Sequence, residues 1–322
     1  MSAFPLFALF RYPLPIENRE PTIEDSSNGI RLVALDLDGT LLDSRGELSA
    51  RNRAALSEAR ARGVRVALVT GRRFRDARPL ALELGLDVPV IAHNGALTKH
   101  ARTLETVAAI LMPAGAAREV VRVGRAHGAD ALVSDDHLGA GLLVYDHISE
   151  GNTALQKYIA WSRRVVGPEA GAAIRQVASL DAYLDHDPLH VAFSGGCAAT
   201  ERLAEEMRRE LGDAVKLLLT LYPRQDFALL DVLHPAASKG AGLAAVAAEQ
   251  GLTRAEVLAV GDNHNDLEML DYAGTGVLMG NAEPLLRERG RFHLTATNDE
   301  DGVAVAIEKF VLNAERGMMN DE

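Results

Sequence analysis

Residues 32–44 read LVALDLDGTLLDS: an apolar run that ends in two carboxylates two positions apart, Asp36 and Asp38, followed by Gly39 and Thr40. A carboxylate at the end of a buried segment is costly unless it is paired, hydrogen-bonded or bound to a metal. The spacing therefore demands partners from elsewhere in the chain, and three stretches offer them. Val69-Thr70-Gly71-Arg72 ends a second apolar run, Ser238-Lys239-Gly240 opens a helical stretch, and Leu258-Ala259-Val260 leads into Gly261-Asp262-Asn263-His264-Asn265-Asp266. Clustered carboxylates with no accompanying His/Cys set select a hard cation such as Mg²⁺. A lysine, a hydroxyl and the exposed N–H groups of a helix start suit a phosphoryl group. Phosphoryl chemistry beside a divalent cation is what this combination could support.

Those residues must be brought together by the elements that carry them. Apolar strands are expected at Arg31–Leu35, Val64–Thr70, Val88–Ala92, Val257–Val260 and Gly276–Met279. Helices are expected between them at Leu48–Arg62, with Ser49 as N-cap and Gly63 as stop, at Arg72–Leu84, at Lys239–Gln250 and at Asn263–Ala273. Short apolar strands alternating with helices predict an α/β fold with a doubly wound parallel sheet covered on both faces. In such sheets ligands bind beyond the carboxyl ends of the strands, which is where all the candidate residues fall. The middle of the chain breaks the alternation. Helical candidates at Ala114–His127 and Ala198–Leu211 are interspersed with strand-like pieces such as Leu142–Tyr145, His190–Phe193 and Phe227–Leu233, and no phosphate-type motif appears. This predicts an inserted α+β domain over 113–232, with the α/β core formed by 30–112 and 233–322. Residues 1–29, broken by Pro5, Pro13, Pro15 and Pro21, are expected to form a flexible extension.

The formal net charge of −11 argues against a nucleic-acid binder, which needs a basic footprint. No stretch approaches the ~20 apolar residues of a membrane span. Cys197 is the only cysteine, so no intramolecular disulfide can form, and a cytoplasmic location is the natural expectation. The bland alternatives are local ones. Asp38-Gly39-Thr40 alone could be a turn, Asp262 and Asp266 first-turn acids favoured by a helix dipole, and Lys239 a solvated surface residue. Their joint occurrence, in order and after apolar strands, is what tells against coincidence.

DLDGTLLDS, VTGR, SKG and GDNHNDLEML, in that order, resemble the four motifs of the haloacid dehalogenase (HAD) superfamily of phosphohydrolases. With Asn94-Gly95-Ala96, Met279-Gly280-Asn281-Ala282 and NDEDGVAVAIEKF at 298–310, the sequence is similar to the Cof-type branch, across about 31–313. The resemblance implies a Rossmann-like core with a large cap. Only about two dozen residues separate Thr40 from Val64, so the cap is expected between Arg72 and Lys239, where it would close over small substrates. It further implies that Asp36 is the nucleophile and Asp38 the general acid and base. Asp36, Asp38 (through its backbone carbonyl), Asp262 and Asp266 would be the Mg²⁺ site, and Thr70 and Lys239 would hold the phosphoryl oxygens. Gly71, Asn94 and Asn265 would complete the substrate rim, with Tyr222, Arg224 and Asp226 as candidate cap contacts. His93 and His264 are taken as non-catalytic neighbours. The expected activity is hydrolysis of small phosphate monoesters (sugar phosphates, FMN or pyridoxal phosphate) through an aspartyl-phosphate. The partner is a small phosphorylated metabolite, with no nucleic acid and no membrane, and the chain is a monomer or homodimer. A phosphosugar mutase or phosphotransferase on the same core, and a non-catalytic metabolite-binding regulator, are the alternatives.

Overall fold

The computed structural model describes residues 29–153, 155–156, 159–160, 173–223, 226–288 and 290–313. The extension expected over 1–29 lies outside them except for Gly29. The chain opens with β1 (Leu32–Leu35), α1 (Ala50–Ala61), β2 (Arg65–Leu68), α2 (Phe74–Glu83), β3 (Val90–Ala92), β4 (Leu97–Lys99) and β5 (Thr106–Ala109). An inserted run follows: α3 (Ala114–Ala126), β6 (Ala131–Asp135), β7 (Leu142–Tyr145), β8 (Ile174–Gln176), α4 (Leu180–Tyr183), β9 (His190–Gly195), α5 (Cys197–Leu211), β10 (Lys216–Tyr222) and β11 (Phe227–Leu233). The chain then returns through α6 (Lys239–Glu249), β12 (Val257–Gly261), α7 (Leu267–Tyr272), β13 (Thr275–Leu278), α8 (Pro284–Glu288), β14 (His293–Leu294) and α9 (Gly302–Ile307).

The core sheet runs β14-β13-β12-β1-β2, every pair parallel, and a bridge from Val69 to Ile91 extends it toward β3. All four residues of β1 are fully buried. Val33 and Leu35 pack with α1, α2 and α9, while Leu32 and Ala34 pack with α6 and α7 on the opposite face. This is the α/β layering expected from strands apolar on both sides. The chain winds outward from β1 through β2 in one direction and from β12 through β14 in the other. The carboxyl ends of β1 and β12 therefore meet at the point where the winding reverses, and a crevice opens there.

The inserted strands form a separate mixed sheet, β10-β11-β9-β6-β7-β8, antiparallel except between β7 and β8. One face, including Val133, Val191, Phe193 and Leu230, packs on α3 and α5. The other face looks across a cavity of about 1220 Å³ at the core strand ends.

Two expected helices start late. α2 begins at Phe74 rather than Arg72, because Thr70 Oγ1 accepts the Arg72 N–H (3.0 Å) and holds Gly71-Arg72 as a loop. The helix expected from Asn263 begins instead as a tight turn, His264–Asp266, with α7 following. There Asp266 Oδ2 turns back to accept the N–H groups of Asp262 and Asn263 (3.0 and 2.9 Å). The antiparallel strands β4 and β5 were not anticipated; at three and four residues they are too short to show a period. Among the described residues no helix is long and apolar enough to cross a membrane.

Candidate active site

Because β1 pairs with β12 with Leu35 beside Val260, the residues just past each strand end land side by side. Asp36 follows β1, and its N–H is held by the Val260 carbonyl (3.1 Å). The chain then folds back in a turn closed by Thr40 N–H to Leu37 O, Leu41 N–H to Asp36 O and Leu42 N–H to Leu37 O. Gly39 sits in that turn at φ +84°, and a Cβ there would stand 2.5 Å from Asp262 Oδ2, so only glycine lets the two segments approach. Thr40 Oγ1 donates to Asp262 Oδ1 (3.0 Å) and orients it.

Lys239, the first residue of α6, reaches across beneath this turn. Its Nζ donates to Asp36 Oδ1 (2.6 Å) and to Asp266 Oδ1 (2.5 Å), and it is 1% exposed against 4% and 0% for the two acids. The start of α6 is fixed by Ser238, whose side chain accepts the Ala241 N–H, and by Gly95. Gly95, at φ +90°, lies so close that a Cβ would meet the Ser238 carbonyl at 1.8 Å.

Asp36, Asp262 and Asp266 can each turn one carboxylate oxygen to within 4.8 Å of the others. Burial pushes the Asp36 carboxyl well above its ordinary range; Lys239 pulls it back, and Asp266 and Asp262 push it further up. Asp262 is pushed up to about 7 by burial and by Asp266. Burial also works against the Lys239 ammonium, but Asp266 and Asp36 outweigh it and hold it charged. Three acids, Asp36 and Asp266 buried and Asp262 half-buried, thus face one lysine, with more hard oxygen donors than that one cation engages. That donor set fits a divalent cation such as Mg²⁺.

Around this floor, Thr70 (1% exposed) keeps its own O–H free to donate, since its oxygen accepts from Arg72 N–H. Gly71 lies against the Asn94 amide. Asn94, in the left-handed region at φ +53°, donates to Asp231 Oδ2 (3.2 Å) and accepts from Asn265 Nδ2 (2.9 Å). Asp36, Thr70, Gly71, Asn94, Asp231, Lys239, Asp262 and Asn265 line the same cavity, and Asp266 lies behind them.

The family model described as haloacid dehalogenase-like hydrolase matches residues 33–307. The chain belongs to this family. It is 31% identical to the pyridoxal phosphate phosphatase YbhA of Escherichia coli over 290 residues, 86% of this chain and 97% of that one. It is 30% identical to the 5-amino-6-(5-phospho-D-ribitylamino)uracil phosphatase YcsE of Bacillus subtilis over 283 residues, 88% and 96%. A solved haloacid dehalogenase-like hydrolase from Bacteroides thetaiotaomicron is 26% identical with a TM-score of 0.71, covering 87% of this chain and 99% of that one. By homology the chain is a phosphatase of the haloacid dehalogenase type, on the Cof-type branch its motifs resemble.

Within this haloacid dehalogenase-like site one candidate stands apart. The Asp38 side chain is about half exposed at the cavity mouth, gripped by Arg72 through Nε (2.8 Å) and Nη2 (2.6 Å), and it does not join Asp36, Asp262 and Asp266. Arg72 was legible only as the last letter of VTGR. Two asparagines of the late motifs brace the first one: Asn281 Nδ2 donates to Gly39 O (2.8 Å) and Asn298 Nδ2 to Leu42 O (3.0 Å). Among the cap candidates, Tyr222 lines the cavity, whereas Asp226 accepts the Cys197 N–H (2.9 Å) at the start of α5, and Arg224 lies outside the described residues. His264 sits at the surface beside Glu283.

His93 has an unforeseen partner. Its Nε2 accepts the Phe74 N–H (3.1 Å), so the neutral ring carries its proton on Nδ1, which faces His190 Nδ1 at 3.3 Å. His190 Nε2 then points at Asp231 Oδ1, 3.6 Å away. Burial lowers the pKa of both rings, His190 to about 4, and raises that of Asp231 to about 7 against the Asn94 hydrogen bond. This row joins the core loop to the inserted sheet.

Proposed function

We propose that the chain is a Mg²⁺-dependent phosphatase of small phosphate monoesters that works through an aspartyl-phosphate on Asp36. The observation that carries the reading is the buried Asp36–Lys239–Asp266 cluster, with Asp262 beside it, at the floor of the cavity between the core and the inserted sheet.

A carboxylate approaching a phosphate dianion meets like-charge repulsion, so the site has to supply positive charge in advance. Lys239 does so from within the cluster, and Thr70 Oγ1 and neighbouring N–H groups orient the phosphoryl oxygens. Mg²⁺ bound by Asp36, Asp262 and the Asp38 carbonyl, with Asp266 in support, would add the remaining charge. An Asp36 oxygen bonds to phosphorus as the ester P–O bond breaks, and the departing oxygen takes a proton from Asp38. Water then attacks the same phosphorus, Asp38 takes its proton, and Asp36 is released with inorganic phosphate. Asp38 must leave the Arg72 clamp to reach the departing oxygen. An incoming phosphate gives Arg72 another anion to bind, so substrate entry itself favours that release. Pyridoxal phosphate and 5-amino-6-(5-phospho-D-ribitylamino)uracil, named for the two relatives, are in the substrate class, together with FMN and sugar phosphates.

The test is phosphate release across a metabolite panel with extensively dialysed protein. Activity is expected to vanish in excess EDTA and return with Mg²⁺, with Ca²⁺ a poor substitute because it tolerates looser coordination. Full activity in EDTA would overturn the metal assignment.

A further inference from the structure

Two consecutive core residues meet two residues of the inserted sheet. His93 faces His190 on β9, and Asn94 faces Asp231 on β11. The second contact continues toward the phosphoryl site, because the Asn94 amide is also bonded to Asn265, in the turn that carries Asp266 and follows Asp262. A carboxylate on the inserted sheet is thus linked through two amides to the floor. It is steadied on its other side by His190, whose Nε2 lies 3.6 Å from Asp231 Oδ1.

The plane of the Asn94 amide is already fixed by its surroundings. The residue is 4% exposed, and its N–H is held by the Thr70 carbonyl (3.0 Å). Its amide lies so close to Gly71 that a Cβ there would stand 3.1 Å from both Nδ2 and Oδ1. One freedom remains, a half-turn about Cβ–Cγ that exchanges nitrogen and oxygen. Asp231 decides it. An ionised carboxylate only accepts, so Asn94 presents Nδ2 to Asp231 Oδ2 (3.2 Å) and Oδ1 to Asn265. Asn265 answers with Nδ2 (2.9 Å). One Nδ2 hydrogen is used there, and the other has no partner among the described residues, on a side chain that lines the cavity. The reverse arrangement would put the Asn265 carbonyl oxygen where this donor now stands, and that oxygen would repel a phosphoryl oxygen.

We propose that Asp231 is a positioning residue for the phosphoryl site: it sets the polarity of the Asn94 amide and, through it, directs an Asn265 N–H to a phosphoryl oxygen of the substrate. The seating of the inserted sheet on the core thereby reaches the chemistry through one chain of hydrogen bonds. The inference rests on the phosphatase reading and adds to it a group that acts from two side chains away.

The experiment is a double-mutant cycle with Mg²⁺ at pH 8, above the Asp231 pKa of about 7. The substrates are acetyl phosphate, which has almost no body, and glycerol 3-phosphate, and affinity for inorganic phosphate is measured in parallel. Asp231→Ala removes the acceptor; Asp231→Leu, close to aspartate in shape, does the same where alanine fails to fold. Asn94→Gly removes the amide and suits the backbone φ of +53°. Each single variant is expected to lower kcat/KM by about 10-fold, equally for both substrates, and to weaken phosphate binding. The Asp231→Ala, Asn94→Gly double variant is expected to lose no more than ~2-fold beyond Asn94→Gly, because Asp231 acts only through that amide. A loss confined to glycerol 3-phosphate would mean that Asp231 touches the substrate's body, and full additivity that it serves only the sheet. Either result, or unchanged single variants, would overturn the positioning role while leaving the phosphatase intact. Wild type that binds phosphate but turns over neither substrate would overturn the phosphatase reading, and the same cycle on phosphate affinity would still decide Asp231. Wild type that does neither would overturn both.

Discussion

Two groups of ionisable side chains lie at the same cavity, and one of them contains a charged partner while the other does not. On the core floor, Asp36, Asp262 and Asp266 crowd around Lys239, and the acids outnumber the base. On the cap side, His93, His190 and Asp231 lie in a row in which burial lowers the histidine pKa values and raises that of the acid, moving all three toward their neutral forms. On the floor burial raises the pKa values of Asp36 and Asp262 too, but Lys239 is held charged between Asp36 and Asp266, and the carboxylate oxygens left over suit an added cation. The cap row sheds charge, as a seam between two sheets would. Burial is common to both; what differs is whether an outside ligand is needed to complete the group.

The largest expected effect tests the floor. Asp36→Asn keeps the shape but removes the nucleophilic charge. Turnover should fall at least ~10³-fold, roughly 4 kcal/mol of barrier, while the metal-free protein melts no lower than wild type because one of several crowded anions is gone. Near-normal turnover would mean that water, not Asp36, attacks phosphorus. Lys239→Met probes the same cluster from the other side. It strands Asp36 and Asp266 without their cation, and metal-free denaturant unfolding should show a loss of about 3–5 kcal/mol. Equal stability would mean the acids were never charged together, and the contrast with the cap row would collapse.

The smallest effect belongs to the cap row. Asp231 has a folded-state pKa raised to about 7, so the native protein holds that proton more tightly than the unfolded chain does. Between about pH 4 and 7 this makes stability fall as pH rises. His190, pushed down to about 4, has the reverse slope up to its unfolded value near 6.5. Asp231→Asn removes only the first contribution. The variant should therefore gain stability relative to wild type as pH rises across that window, by up to about 1.4 kcal/mol for each pH unit. A stability difference that does not change with pH would show that Asp231 titrates as an ordinary carboxylate.

The two groups also differed in how far the sequence revealed them. Asp36, Lys239, Asp262 and Asp266 each sit just past an apolar strand or at a helix start, and the parallel order of an α/β sheet brings such ends together. A local pattern was therefore enough. His190 and Asp231 meet only because the inserted sheet is ordered β10-β11-β9-β6-β7-β8, a pairing of strands distant in sequence that no local period encodes. Asp231 stands inside an apolar strand, and nothing in that local pattern places Asn94 and His190 beside it. Asp38 shows the remaining limit. Its place after β1 was legible, but the Arg72 clamp depends on a loop that the sequence pattern assigned to a helix.

The central claim is that phosphate passes through Asp36 and that Asp38 handles the protons. Asp38→Ala tests both at once by rapid mixing with an alkyl and an aryl phosphate, followed by acid quench to count protein-bound phosphate. General acid–base groups contribute ~10²–10⁴-fold, and a basic alkyl leaving oxygen needs the proton far more than an aryl one. The account predicts a fast burst of phenol from the aryl ester, then slow turnover with phosphate retained on Asp36, and a much slower formation step for the alkyl ester. Equal losses in the formation step for both esters, with no burst and no labelled protein, would contradict it.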